Sequence, residues 1–328
     1  MGRRVLALFE PFVLALLATV LLATLLPARG VWAQVASVAA DAGIVLLFFL
    51  HGAKLSREAI VAGLRNMRLH VAVLASTFLL FPLLGLLLSL ASPGPLAAGI
   101  LFLTLLPSTV QSSIAFTAIA RGNVAAAVCS ASFSNLLGIV LTPALVALFM
   151  GQTGGGAGGG ISLGSIETIL LQLLLPFVVG HLLRPWIGGF VARRKALLSL
   201  ADRGSILRVV YTAFGAAVVE GLWHRVSGAD LLLILALCLV LLAVVLLATW
   251  SAGRALALSR EDAIVLVFCG SKKSLASGVP MAGVLFPPAQ VGLVLLPVML
   301  FHQVQLIACA IIARRYAEYP TSTADLPG

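Results

Sequence analysis

Charged side chains are scarce in this 328-residue sequence: they make up 10% of it, and only 11 are acidic. With 61% hydrophobic residues and a mean hydropathy of +1.14, a water-soluble domain would have to expose a very large apolar surface, which excludes that class. Only four cysteines occur, Cys129, Cys238, Cys269 and Cys309. All lie inside apolar runs without CxxC or Cys/His spacing, so disulfides and zinc are disfavoured and the four read as small buried residues. No metal box, activated nucleophile or carboxylate pair is recognisable, which argues against an enzyme and against a cofactor. The formal charge of +10 would point to nucleic acid in a soluble protein. Here the basic residues instead punctuate apolar runs of about 20 residues, the length that crosses a bilayer core, and nucleic-acid binding is disfavoured.

What is present is a series of such runs, near 8–27, 37–53, 69–91, 95–119, 123–150, 165–186, 205–222, 230–250, 263–285 and 288–313. They predict an all-α integral membrane protein of ten transmembrane helices. Arg3 and Arg4 before the first run resemble a secretory signal, but that run is longer than a signal core and the topology requires it as a retained helix. With the N-terminus in the cytoplasm, every basic residue except Arg29, Arg225, Lys272 and Lys273 falls in an inner segment. The positive-inside rule therefore supports the span count and places both termini in the cytoplasm, in an expected bacterial inner membrane. The basic run "RRKALLSLADR" is expected to be a solvated loop near anionic lipid heads.

The one low-complexity stretch, "GQTGGGAGGGISLG" at 151–164, has the composition of an external flexible linker. It divides the chain into a first five-helix repeat, 1–150, and a second, 165–328. An odd number of spans in each half forces opposite orientations, which is an inverted-topology repeat. The fourth run of each half is interrupted at its centre. "LPSTVQSS" places Pro107 beside Ser108, Thr109, Gln111, Ser112 and Ser113; "FCGSKKSLASGVP" brackets Ser271, Lys272, Lys273 and Ser274 with Gly270, Gly278 and Pro280. Unwound backbone at membrane depth is tolerated only where protein or a watery cavity satisfies it. Both interruptions are thus expected to face the interior and each other, and corresponding interruptions in two halves point to a transporter's binding site.

Two adjacent lysines are the costliest feature, roughly 2.5 to 3.5 kcal/mol each at mid-membrane. Adjacent residues on a helix diverge by about 100°, so both heads reach one cavity only if the backbone is unwound. A structural ion pair is the alternative, with Asp41 and Glu220 as the acids in reach. The serine cluster has its own alternative, since hydroxyls in membrane helices often bond back to nearby backbone. Ser130 and Ser134, one turn apart with Ser132 and Asn135 flanking, read as close packing or as ligands, Asn135 being the more functional in character. His302, Gln303 and Gln305 in "FHQVQ" read as packing groups or as a relay, and Gln303 joins the candidate site.

The sequence resembles the bile acid:sodium symporter superfamily, and most closely an orphan branch of solute carrier family 10. The resemblance is carried by "ARGNVA" at 120–125, "LTPAL" at 141–145 and "FCGSKKSLASGVPM" at 268–281. It implies a panel domain and a core domain, the core built on crossed, broken fourth and ninth helices, and sodium-coupled uptake of organic anions. It also implies a sodium position near Ser112 and Ser113. Sodium-coupled members carry an acid and a Gln-Asn pair in the ninth-helix break, whereas this chain has Cys269, Gly270, Ser271, Lys272 and Lys273. The expectation is a secondary transporter of a small organic anion in which lysines replace or alter sodium coupling, with Na+ or H+ as the coupling ion. A desolvated lysine could exchange that proton. The rival from another class is a non-transporting membrane regulator of ion homeostasis or trafficking.

Overall fold

The computed structural model describes residues 11–54, 66–92, 95–150 and 170–318, where all regular structure is helical and no strand occurs. The glycine-rich stretch 151–164, Arg3, Arg4, Arg57 and Arg65 lie outside the described residues. In chain order the helices are α1 (Pro11–Leu25), α2 (Val31–Lys54), α3 (Met67–Leu90), α4 (Pro95–Leu105), α5 (Gln111–Ile119), α6 (Val124–Met150) and α7 (Leu175–Arg193). Then follow α8 (Lys195–Val219), the single turn α9 (Leu222–Arg225), α10 (Gly228–Ala255), α11 (Arg260–Gly270), α12 (Leu275–Leu285) and α13 (Pro288–Glu318). Among the described residues, six helical stretches are long and apolar enough to cross a membrane.

The basic run corrects one expectation. The chain bends at Arg194 and is helical again from Lys195, so most of the run is the first part of α8 rather than a loop. The segment "KALLSLADR" holds no proline and consists largely of good helix formers; it is anchored at Leu198 against Leu50, Ala53 and Val191 and is buried again at Ser205 and Ile206.

Two packing units follow from small residues. In one, α2 lies along α7 and α8, and α1 covers α8. A Cβ at Gly52 would fall on the Phe177 carbonyl, and one at Gly180 on the Phe49 carbonyl. This reciprocal contact lets the backbones of α2 and α7 touch, the close approach that substitutes for a hydrophobic driving force inside lipid. In the other, α11 is wedged among α3, α5, α6 and α10, and α13 packs on α4, α5, α10 and α12 and also lies against α8 of the first unit.

The motif "ARGN" has a structural explanation. Arg121 takes a left-handed φ of 60° to end the α5 segment, and a Cβ at Gly122 would come within 2.6 Å of Ile264. Asn123 then caps α6 through the Ala126 N–H (3.0 Å) and donates to Asp262 (2.9 Å). Asn66, the N-cap of α3, donates to the other oxygen of Asp262 (2.6 Å). One carboxylate in the first turn of α11 therefore ties down the starts of α3 and α6.

Candidate functional site

Between α4 and α5 runs a link, residues 106–110; between α11 and α12 runs another, residues 271–274. They touch, the Ser274 N–H donating to the Pro107 carbonyl at 2.8 Å. Glycines permit the approach: a Cβ at Gly138 would lie 2.7 Å from Pro107, and one at Gly278 would lie 2.5 Å from Leu106.

Buried carbonyls freed at a helix end need partners, and nearly every hydroxyl here supplies one. On α11, Val267 accepts from Ser271 Oγ, Phe268 from Ser113 Oγ (3.0 Å), Cys269 from Ser108 Oγ (2.6 Å) and Gly270 from Ser76 Oγ (2.7 Å). On the α4 side, Leu105 accepts from Thr142 Oγ1 (2.8 Å) and Ser108 from Asn135 Nδ2 (2.7 Å), while the Ser108 N–H donates to Ser134 Oγ (2.9 Å). Backbone satisfaction, the alternative set beside ligand binding for the serines, thus describes Ser108, Ser113, Ser134 and Ser271. Ser130 bonds His70 at 2.8 Å.

Two carbonyls of this end of α4 remain, Thr104 and Leu106, and Lys273 takes both. Its Nζ donates to Thr104 O (2.7 Å), Leu106 O (2.7 Å) and Thr77 O (2.8 Å), using all three ammonium protons. Thr77 is available because residues 76–80 of α3 form a π-helical turn, in which the Phe81 N–H bonds Ser76 O instead of Thr77 O. The next residue, Pro82, has no N–H to offer Thr77. The Phe81 ring lies 4.1 Å from the ammonium and adds a cation–π contact. Gln305 clasps the Lys273 backbone, accepting from its N–H (2.8 Å) and donating to its carbonyl (2.9 Å).

Lys272 is also fully buried but has no hydrogen-bond partner for Nζ. It sits 4.3 Å from the Phe116 ring centroid and 5.5 Å from that of Phe268, near the thiols of Cys269 and Cys309. Ring contacts contribute about 2 kcal/mol when desolvated, less than the several kcal/mol it costs to bury an ion. Neither Asp41 nor Glu220 is its partner, since its Nζ has none, whereas Lys54 is paired with Asp202.

A cavity of 610 Å³ opens beside the contact between the two links and extends between the two packing units. Of the predicted residues, Thr109, Gln111, Ser112, Asn135 and Ser274 line it, joined by Ser277 and His302. Ser108, Ser113, Ser130, Ser134, Ser271, Lys272, Lys273 and Gln303 do not; the expectation that a lysine faces this cavity is corrected, because Lys273 is consumed by carbonyls and Lys272 lies behind Phe116. The Gln303 amide is buried without a partner. Ser112 donates to Thr109 (2.8 Å); since the Ser113 proton goes to Phe268 O, Thr109 must donate to Ser113 (2.8 Å), and a hydroxyl relay runs from the cavity into the end of α11. Asn135 is held by Ser108, Ala131 and Ser277. The N-terminus of α5, with Val110 offering no side-chain cap, opens at Gln111 and Ser112 on the cavity wall.

Sequence reasoning missed the opposite wall, where His51 and Lys54 of α2 and Asp202 and Arg203 of α8 face the same space. Lys54, Asp202 and Arg203 lay in segments assigned to the cytoplasmic surface and His51 at the end of the second apolar run, and the only available signal was their position near helix ends. Among the described residues no group of three or more His, Cys, Asp or Glu is placed to hold a metal ion.

The model of the SBF-like CPA transporter family matches residues 10–318. An uncharacterised protein of Pseudomonas aeruginosa is 58% identical over 312 residues, covering 94% of this chain and 93% of that protein. The Escherichia coli protein named "Putative symporter YfeH" is 54% identical over 313 residues, again 94% of this chain and 93% of the relative. "Sodium/bile acid cotransporter 7" of Rattus norvegicus is 26% identical over 277 residues, 82% of this chain and 80% of its own. With helices of the length and apolarity described above, the chain is an integral membrane protein and belongs to the SBF-like CPA transporter family.

Proposed function

We propose that the protein is a secondary active transporter of an organic anion, in which the Lys273 ammonium takes the place of a coupling cation at the crossing of two interrupted spans. The observation that carries this reading is the set of three carbonyl oxygens around Lys273 Nζ at 2.7 to 2.8 Å. Oxygens so arranged suit a cation, and here the cation is tethered to the chain.

The same reading makes α4 with α5 the fourth span and α11 with α12 the ninth, of ten spans forming two inverted five-helix repeats in a bacterial inner membrane with cytoplasmic termini. It is supported by the matching interruptions and by the distribution of basic residues. The α2, α7 and α8 group serves as a panel and the rest as a core, with the solute held between them. The α5 N-terminus offers N–H donors to the solute's oxygens. Lys272, whose buried nitrogen has no acceptor, is the group whose surroundings must change during transport, and it carries a proton if one is coupled. The names of the E. coli and vertebrate relatives favour a symporter over an enzyme or a non-transporting regulator.

Uptake into proteoliposomes of a panel of labelled organic anions, beginning with taurocholate, tests this. Accumulation above that in protein-free vesicles is expected for at least one of them; none accumulating, and none raising thermal stability in detergent, would remove the reading.

A further inference from the structure

Gln305 is fully buried and does not line the cavity, yet its side chain fixes a residue that does. A backbone N–H can only donate, so the Gln305 atom that meets the Lys273 N–H at 2.8 Å is the oxygen, and this sets which way the amide is turned. Its Nε2 then directs one hydrogen at the Lys273 carbonyl (2.9 Å) and the other at Nδ1 of His302 (2.9 Å). An amide nitrogen accepts no hydrogen bond, so Nδ1 is the acceptor and the neutral imidazole carries its hydrogen on Nε2. His302 lines the cavity, and among the described residues Nε2 has no hydrogen-bond partner, which leaves its N–H to that space.

Other polar groups on this wall are placed differently. Ser112 donates to Thr109 and Thr109 to Ser113, Ser274 donates to Ser277 and Ser277 to Asn135, and the Asn135 amide donates to two backbone carbonyls. Their protons are committed inside the protein, whereas that of His302 is not. We infer that Gln305 is a positioning residue, which locks the His302 imidazole and the Lys273 backbone into one unit and makes His302 a one-way hydrogen-bond donor to an oxygen of the solute rather than the carrier of a coupled proton. A second ring proton would sit on Nδ1, aimed at an amide N–H. Turning Gln305 over to receive it would set the amide NH2 against the Lys273 N–H and the amide oxygen against the Lys273 carbonyl, so charging the ring is tied to release of the link that carries Lys273. The charged groups that face this space are Lys272 on that link, His51 and Lys54 of α2, and Asp202 and Arg203 of α8; the carboxylate among them, Asp202, is engaged by Lys54. The solute atom opposite Nε2 is then a carboxylate, sulfonate or carbonyl oxygen and not an N–H group. The ligand rests on the transport reading; the tautomer does not.

The test is nitrogen NMR of purified full-length protein carrying isotopically labelled histidine, the His302 signals being identified by their loss in His302→Gln. Bare and protonated ring nitrogens resonate far apart, so the spectrum reads which of the two carries hydrogen. Wild type is expected to show a bare Nδ1 and a protonated Nε2, unchanged between about pH 6 and 8. Gln305→Leu should mix the two tautomers, and Gln305→Glu, whose carboxylate can only accept, should place hydrogen on Nδ1. Hydrogen on Nδ1 in wild type, or the wild-type pattern persisting in both Gln305 variants, overturns the inference. Each anion of the transport panel that is accumulated, taurocholate first, should shift the Nε2 signal; His302→Met should bind it about tenfold more weakly, and His302→Gln, which keeps an N–H donor, should lose less. An accumulated anion that leaves Nε2 unmoved overturns the donor role. If anions are transported while the tautomer is the wrong one, only this inference fails; if none binds or is transported, the transport reading and the solute's place at His302 fail together, whatever the tautomer.

Discussion

Lys273 Nζ donates to the carbonyl of Thr77 across 2.8 Å, joining the link between α11 and α12 to a π-helical turn in α3. With the bonds to Thr104 and Leu106, the contact makes one side chain the common anchor of three segments that would otherwise leave bare carbonyls in the core. Its neighbour Lys272 has the same charge and burial and no acceptor. The two lysines therefore respond oppositely to removal.

Lys273→Met leaves three buried acceptors unmet and is expected to lower stability by about 2–4 kcal/mol, the penalty for orphaned acceptors outweighing relief from burying a charge. Lys272→Met removes an unpaired ion, and stability should stay level or rise by about 1–3 kcal/mol. Thermal unfolding of the two variants in one detergent decides this; the reverse order would show that the ammonium of Lys272, not Lys273, is the anchor.

Pro82 helps to free the Thr77 carbonyl, so Pro82→Ala supplies an N–H that can claim a carbonyl of the π-helical turn. The substitution should recover part of the stability lost in Lys273→Met, with a coupling of about 0.5–2 kcal/mol in a double-mutant cycle. Strictly additive effects would separate the π-helical turn from the lysine.

Gly52→Ala places a methyl on the Phe177 carbonyl, against backbone that cannot step aside. A loss of about 1–3 kcal/mol is expected. Gly204→Ala, where no atom lies within 4 Å of the added carbon, is the control and should be neutral or slightly stabilising. Equal unfolding temperatures for the two variants would contradict the close packing of α2 on α7.

Asp262→Ala releases the Asn66 and Asn123 amides together and should cost about 1–3 kcal/mol. Because one carboxylate serves both helix starts, Asn66→Ala and Asn123→Ala should each lose less than Asp262→Ala; the opposite ranking would show that the caps act independently of α11.

Much of this was legible in the sequence, for reasons that differ by residue. Pro107 and Gly270 marked where α4 and α11 end, because backbone chemistry is local. Their contact through Ser274 and Pro107 is a long-range event that only the pattern of polar groups hinted at. Ser108, Ser113, Ser134 and Ser271 were recognised as important, yet a hydroxyl that satisfies a carbonyl and one that binds a solute look identical in a sequence. Lys273 seemed to need a carboxylate, because nothing in "FLLFPLLG" advertises a π-helical turn with a free carbonyl. Lys54 and Asp202, 148 positions apart, belonged to segments read as surface, and their pairing on the cavity wall depends on how α2 meets α8. The helical course of 195–203 was obscured by its charge, which says where a segment meets water and not whether it is helical.

The central claim is that a tethered ammonium occupies the place of a bound sodium ion, so that sodium is not needed there. Uptake of a transported anion into proteoliposomes, measured with sodium and with sodium fully replaced by choline, tests it most directly. The account predicts the same initial rate in both, with the dependence on Lys273 retained; uptake that disappears without sodium would contradict it.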